Sequence, residues 1–111
     1  MDTGNIVKIR FKRYFSGQKL WIFVGKVVEF TENWVKVDGK GILFTTGQLN
    51  PLDVDEELRI LMVPRENIAH VRILPDNFNL EKIETYSKKH RWYIKVDGAA
   101  DASLGEMGET D

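Results

Sequence analysis

The stretch Val63-Pro64-Arg65-Glu66-Asn67-Ile68-Ala69-His70-Val71 sets the tightest limit on how this chain folds. It joins two apolar runs, Leu58 to Val63 and Ile68 to Leu74, through a joint that opens with proline. A glycine hairpin would let the two runs lie side by side. A joint this short, begun by a residue with fixed φ and no N–H, instead predicts one tight turn that carries the chain sharply to another edge. The two runs then occupy different edges of a small, strongly bent β structure.

The rest of the chain supplies strands to match. Residues 6–15 alternate: Val7, Ile9 and Phe11 on one face, Lys8, Arg10 and Lys12 on the other, the period of a half-buried strand. Residues 20–30 are apolar almost throughout, and their Trp, Ile, Phe and Val content favours strand over helix. Gly25 at the centre of that run predicts a bend. A polar turn at 31–33 leads to another strand over 34–44, with Asp38-Gly39-Lys40-Gly41 read as a bulge or tight turn inside it. Residues 45–57 read as a loop rich in acids; their spacing is not that of a calcium loop, and a solvated connection is the expectation.

After Pro75, the residues Leu80, Ile83 and Tyr86 recur every third position, with acids early and lysines late. This predicts a short amphipathic helix, in preference to a hairpin of 82–86 with 91–96. A last strand follows over 91–96. From Ala99 the chain is small and acidic, which predicts a disordered tail over 99–111. The domain reading is a barrel over 1–75, a helix-plus-strand extension of the same domain over 76–98, and the tail.

At 111 residues this is one domain. The formal charge of -1 conceals a basic body up to Gly98 and an acidic end. No cysteine is present, which excludes disulfides and thiolate metal sites and favours a reducing compartment. No apolar run approaches membrane-spanning length, and Met1-Asp2-Thr3-Gly4 opens no signal peptide, so a cytoplasmic protein without membrane contact is expected. His70 and His90 have no ligand spacing to each other, no phosphate-binding glycine loop precedes a helix, and no nucleophile elbow occurs. The expectation is therefore no enzyme, no catalytic residue, no metal and no cofactor.

Five strands in this order, the second long and bent at glycine and the last two joined by a very short turn, resemble the Sm-like family (LSm/Hfq type). Two segments carry the resemblance. Residues 25–37, Gly-Lys-Val-Val-Glu-Phe-Thr-Glu-Asn-Trp-Val-Lys-Val, look like the first Sm motif, and residues 63–71 look like the second. Pro64-Arg65 stands where eukaryotic and archaeal Sm proteins carry Arg-Gly, and Glu66 falls where the Hfq type has a histidine. The fold this implies is mainly β: a small, strongly bent five-stranded antiparallel Sm-like barrel with a C-terminal helix-plus-strand extension.

The function it implies is a ring of identical subunits, built through the Leu58–Val63 and Ile68–Leu74 strands, that binds single-stranded RNA. Asn33, Trp34, Arg65, Glu66 and Asn67 would then line the pore. Trp34 would stack a base, Arg65 meet a phosphate and Asn67 bond a base edge. The plainer reading has Trp34 in the core, Arg65 solvated and Asn67 shaping its turn. A second candidate is the basic face Lys8, Arg10, Lys12, Arg13 and Lys19, interleaved with Tyr14, Phe15 and Trp21, which suits single-stranded nucleic acid or is simply a strand's solvent face. The alternative function is a structural or protein-interaction subunit that uses the same strands only for assembly, with no nucleic acid.

Overall fold

The computed structural model describes residues 1–12, 20–44, 52–89 and 91–104. They are mainly β, in antiparallel sheets. The larger sheet is built from β1 (Ile6–Phe11), β2 (Leu20–Phe30), β3 (Trp34–Phe44), β4 (Leu52–Val54), β5 (Arg59–Pro64) and β6 (Ile68–Leu74). Its order is β4-β3-β2-β1-β6, and β5 pairs with the other half of the β3 edge that β4 uses. The Pro64 joint is a single 3₁₀ turn, Arg65–Asn67, and it delivers β5 and β6 to opposite sides of the sheet, as the sequence predicts. Among the described residues β5 and β6 do not pair with each other, so the sheet is not closed into a barrel.

Two corrections concern this sheet. The expected loop contains a strand, β4, whose Leu52, Asp53 and Val54 pair with Phe44, Leu43 and Ile42. Residues 45–51 lie outside the described residues. The segment 38–41 is not a bulge or turn: β3 runs through it in unbroken register with β2. The bulge falls instead in β2, where the register slips between Val27 and Glu29. Gly25 and Gly39 face each other across the two strands. A Cβ on Gly39 would stand 2.0 Å from the Val24 carbonyl oxygen, and one on Gly25 would stand 2.6 Å from that of Asp38. The glycines are there because the bent strands approach too closely for any side chain.

The second sheet is β7 (Thr85–Lys88), β8 (Arg91–Ile94) and β9 (Ala102–Ser103). The helix expected around Leu80, Ile83 and Tyr86 does not form; a hairpin takes its place, over Thr85–Lys88 and Arg91–Ile94 rather than 82–86 and 91–96. Phe78 N–H bonds the Pro75 carbonyl, and the Asn79 side chain accepts the Glu81 N–H, so local turns claim the groups a helix would need. Tyr86 then pairs with Tyr93, and the hairpin reverses across Lys89 at φ 53°. The predicted disorder from Ala99 is also corrected: Ala102, Ser103 and Leu104 are buried. Their small and apolar side chains complete a core that a short strand can reach. Residues 105–111 are outside the described set.

The large sheet is buried on both faces. Val7, Ile9, Phe23, Val27, Val35 and Val37 form the core on one side. Ile6, Leu20, Ile22, Val24, Ile42 and Leu74 pack on the other side against Ile94 and Ala102 of the second sheet and the flanking Val96 and Leu104, with Leu80 and Ile83 at the margin. Each fully buried Ile, Leu or Val stabilises the fold by roughly 1.5–3 kcal/mol relative to exposure. No described helix is long and apolar enough to cross a membrane.

The glycine pair yields a direct test. Gly39→Ala should destabilise the protein by about 3 kcal/mol, because backbone rather than a movable side chain occupies the space. Urea unfolding measures this, and an unchanged midpoint would show that β2 and β3 are not so close.

Candidate functional site

Two polar turns that are distant in sequence meet at one end of the large sheet. In the first, the Thr31 hydroxyl accepts the N–H groups of Asn33 and Trp34 at 3.1 and 3.2 Å, while Thr31 N–H bonds the Trp34 carbonyl at 2.8 Å. A Ser/Thr turn of this kind fixes the chain between β2 and β3 without glycine. The second turn is tied to the first: Arg65 N–H bonds the Asn33 carbonyl at 2.9 Å. Glu32, Asn33, Pro64, Arg65 and Glu66 therefore line a single open recess. The Arg65 guanidinium carbon lies 5.5 Å from the centroid of the Phe30 ring, within cation–π range.

Of the five residues expected to contact RNA, the structure gathers Asn33, Arg65 and Glu66. Trp34 is half-buried and pairs with Pro64 at the root of the recess. Asn67 is not among the lining residues, and its carbonyl accepts the Lys12 N–H at 2.8 Å. Phe30 was missed because the β2 bulge shifts the alternation, so its facing could not be counted from the strand's start. The recess carries the carboxylates of Glu32 and Glu66 against the one guanidinium of Arg65, a balance that opposes phosphate.

Of the predicted basic face, Lys8 does not reach solvent. Lys8 is fully buried, and its ammonium donates to the Ser103 carbonyl at 2.6 Å. Lys8 lies beside Val24 on β2, and Val24 lies beside Lys40 on β3. Lys40 is also buried and donates to the Glu81 carbonyl at 2.9 Å. On the other side of Lys8 is Arg72 of β6, which donates to the Ala100 carbonyl. Three cations in one row across the sheet thus bond three backbone carbonyls of the C-terminal segment. The alternation of β1 is real, but a second apolar layer covers the face that was expected to meet water. Arg10 is half-buried and Lys12 is exposed. Trp21 falls on the opposite face, where it meets Phe11 edge-on with centroids 6.5 Å apart. Arg13, Tyr14, Phe15 and Lys19 lie outside the described residues.

His70 pairs with Arg10 on β1. Burial, then the charges of Lys8 and Arg10, hold its pKa below that of an ordinary histidine, so it is neutral at neutral pH. In the second sheet the Tyr86 phenol donates to the Asp101 carboxylate, which also accepts the Val96 N–H at 2.8 Å. The hydrogen bond from Tyr86, followed by that from Val96, lowers the Asp101 pKa, and the same contact raises that of Tyr86. The Tyr86 ring stacks on Tyr93, with centroids 5.4 Å apart. Among the described residues, no group of three His, Asp or Glu side chains is placed to hold a metal ion.

Comparison with family models, curated proteins and solved structures finds no match to this chain.

Two predictions follow from the cation row and the Asp101 clasp. Lys8→Ala should cost about 2–4 kcal/mol, through the cavity and the lost bond to the Ser103 carbonyl, and should speed amide exchange in β8 and β9. Lys12→Ala, at an exposed position, should change stability by no more than about 0.5 kcal/mol. Equal effects of the two in chemical denaturation would refute the buried clamp. For Asp101 the folded pKa is the lower one, so its contribution is complete above the unfolded value and is lost as pH falls through the folded value. Tyr86→Phe should therefore flatten the loss of stability as pH falls through and below the ordinary carboxylate range. A variant whose acid unfolding parallels the parent's would show that the clasp contributes nothing.

Proposed function

We propose that this protein is a non-enzymatic assembly module that associates with copies of itself through the edge of β5. The carrying observation is the surface of that strand. Among the described residues β5 pairs only with β3, leaving its other edge open, yet Ile60 is 63 % exposed and Met62 54 % exposed, with Leu58 at 41 % just before them. An open edge lined by large apolar side chains is the arrangement that native proteins ordinarily blunt with charge, so its presence points to a partner.

The strand order supports an Sm-like plan for the module. The central strands run β6-β1-β2-β3-β5, and the two outer strands are joined by a one-turn 3₁₀ segment. On that plan the bent sheet is the Sm-like barrel in open form. The receiving edge is β6 if the assembly is a ring, or β5 itself if it is a symmetric pair. The absence of cysteine supports a reducing, cytoplasmic compartment.

A second reading, RNA binding at the Arg65 recess, is favoured by the guanidinium over Phe30 and the neighbouring Asn33. It ranks lower because Glu32 and Glu66 share the recess, and because Lys8, Lys40 and Arg72 are engaged within the fold.

Native mass spectrometry of protein purified without nuclease should give an oligomer free of nucleic acid, and Met62→Lys should reduce it to monomer. An oligomer carrying RNA that high salt or Arg65→Ala removes would transfer the assignment to the second reading. A parent protein that is monomeric at every concentration would overturn the assembly reading.

A further inference from the structure

The backbone of β5 identifies which element it meets in a second copy. Arg65 N–H bonds the Asn33 carbonyl, and Arg65 stands opposite Asn33 by the register that pairs Pro64 with Trp34. In an antiparallel ladder the backbone groups point alternately to the two sides. Val63, Leu61 and Arg59 therefore turn theirs to β3, while Ile60, Met62 and Pro64 turn theirs to the open edge. The missing N–H of Pro64 falls on that outer side, where proline is tolerated. The same two residues that present N–H and C=O at the edge, Ile60 and Met62, also carry its most exposed apolar side chains.

We infer that β5 pairs antiparallel with β5 of a second copy, about a two-fold axis at Leu61. This rests on the reading of β5 as an assembly edge and names the partner element. In that register Ile60 lies opposite the partner's Met62 and exchanges both N–H···O bonds with it, and Met62 does the same with the partner's Ile60. Pro64 lies opposite the partner's Leu58, where only the proline carbonyl is required.

The charges fit this orientation. Lys36 and Asp38 flank Met62 and Ile60 on β3, so the row across the joint reads Lys36, Met62, the partner's Ile60, the partner's Asp38. Glu56 and Glu57 precede the strand and Arg65 follows it, and the antiparallel arrangement sets Glu57 beside the partner's Arg65. A parallel pairing would bring like ends together. Leu58, Ile60 and Met62 of both copies merge into a single apolar strip. An isologous contact of this kind closes on itself, giving a dimer with a continuous sheet rather than a ring. The β6 edge offers a poorer match, with Ile73 as its large exposed apolar side chain.

The chain has no cysteine, so single cysteines report on the contact directly. Ile60→Cys and Met62→Cys occupy exposed positions that should not disturb folding. When the two variants are mixed and oxidised, a disulfide-linked dimer should form between them, because directly opposed residues lie within disulfide reach. Either variant alone should give little, since each cysteine meets its own copy only diagonally, beyond that reach. Cross-linking in the mixture no greater than in the separate variants, from a parent that is still oligomeric, would overturn the β5–β5 pairing and leave assembly through another edge. A monomeric parent would overturn both.

Discussion

The two sheets of this protein depend on a lysine that water does not reach. Lys8 stands in the middle of β1, is wholly buried, and donates to a backbone carbonyl of the last described strand. Removing an ammonium from water costs several kcal/mol unless the bonds it gains are good ones. Here the acceptor is fixed by strand pairing, and Lys40 and Arg72 extend the same device to either side. Apolar packing supplies most of the attraction between the layers. The cations add position: the bond from Lys8 fixes where a carbonyl 95 residues away lies against β1.

That arrangement changes what the basic residues mean for function. Alternating Lys and Arg on a strand ordinarily mark a solvent face, and such a face beside aromatics would suit nucleic acid. In this fold Lys8, the first of the row, is spent inside the molecule. The exposed chemistry lies elsewhere, in a recess of mixed charge at the joined turns and in an apolar strip along β5. The same bent sheet therefore separates a charged interior seam from an apolar rim.

The central strands and the sharp joint were legible because each has a local cause. β1 alternates, β2 is too rich in β-branched and aromatic residues for a helix, and Pro64 stops a hairpin. What escaped was decided by distant contacts. The burial of Lys8 requires the second sheet, about which β1 carries no local signal. Leu80 and Ile83 do reach the core, as their spacing suggested, but from turns that Asn79 and Pro75 impose rather than from a helix. The reversal at Lys89 lacks glycine or asparagine, so nothing local announced it. At the candidate site, Asn33, Arg65 and Glu66 were readable as turn residues on two motifs, whereas Phe30 was hidden by the bulge.

The clamp at Lys8 also bears on the order in which the molecule comes together. A strand made early in synthesis carries a charged side chain whose Ser103 acceptor belongs to a late strand. Until residue 103 is made, the core of Val7, Ile9, Phe23, Val27, Val35 and Val37 can form, but the one on the other side of β1 lacks Ala102 and Leu104. Closing so long a loop is entropically costly and slow compared with local hairpins. The last layer is therefore the last to dock: without residues 100–104 the Ser103 and Ala100 carbonyls would be missing from Lys8 and Arg72, and part of the apolar face beneath would be uncovered.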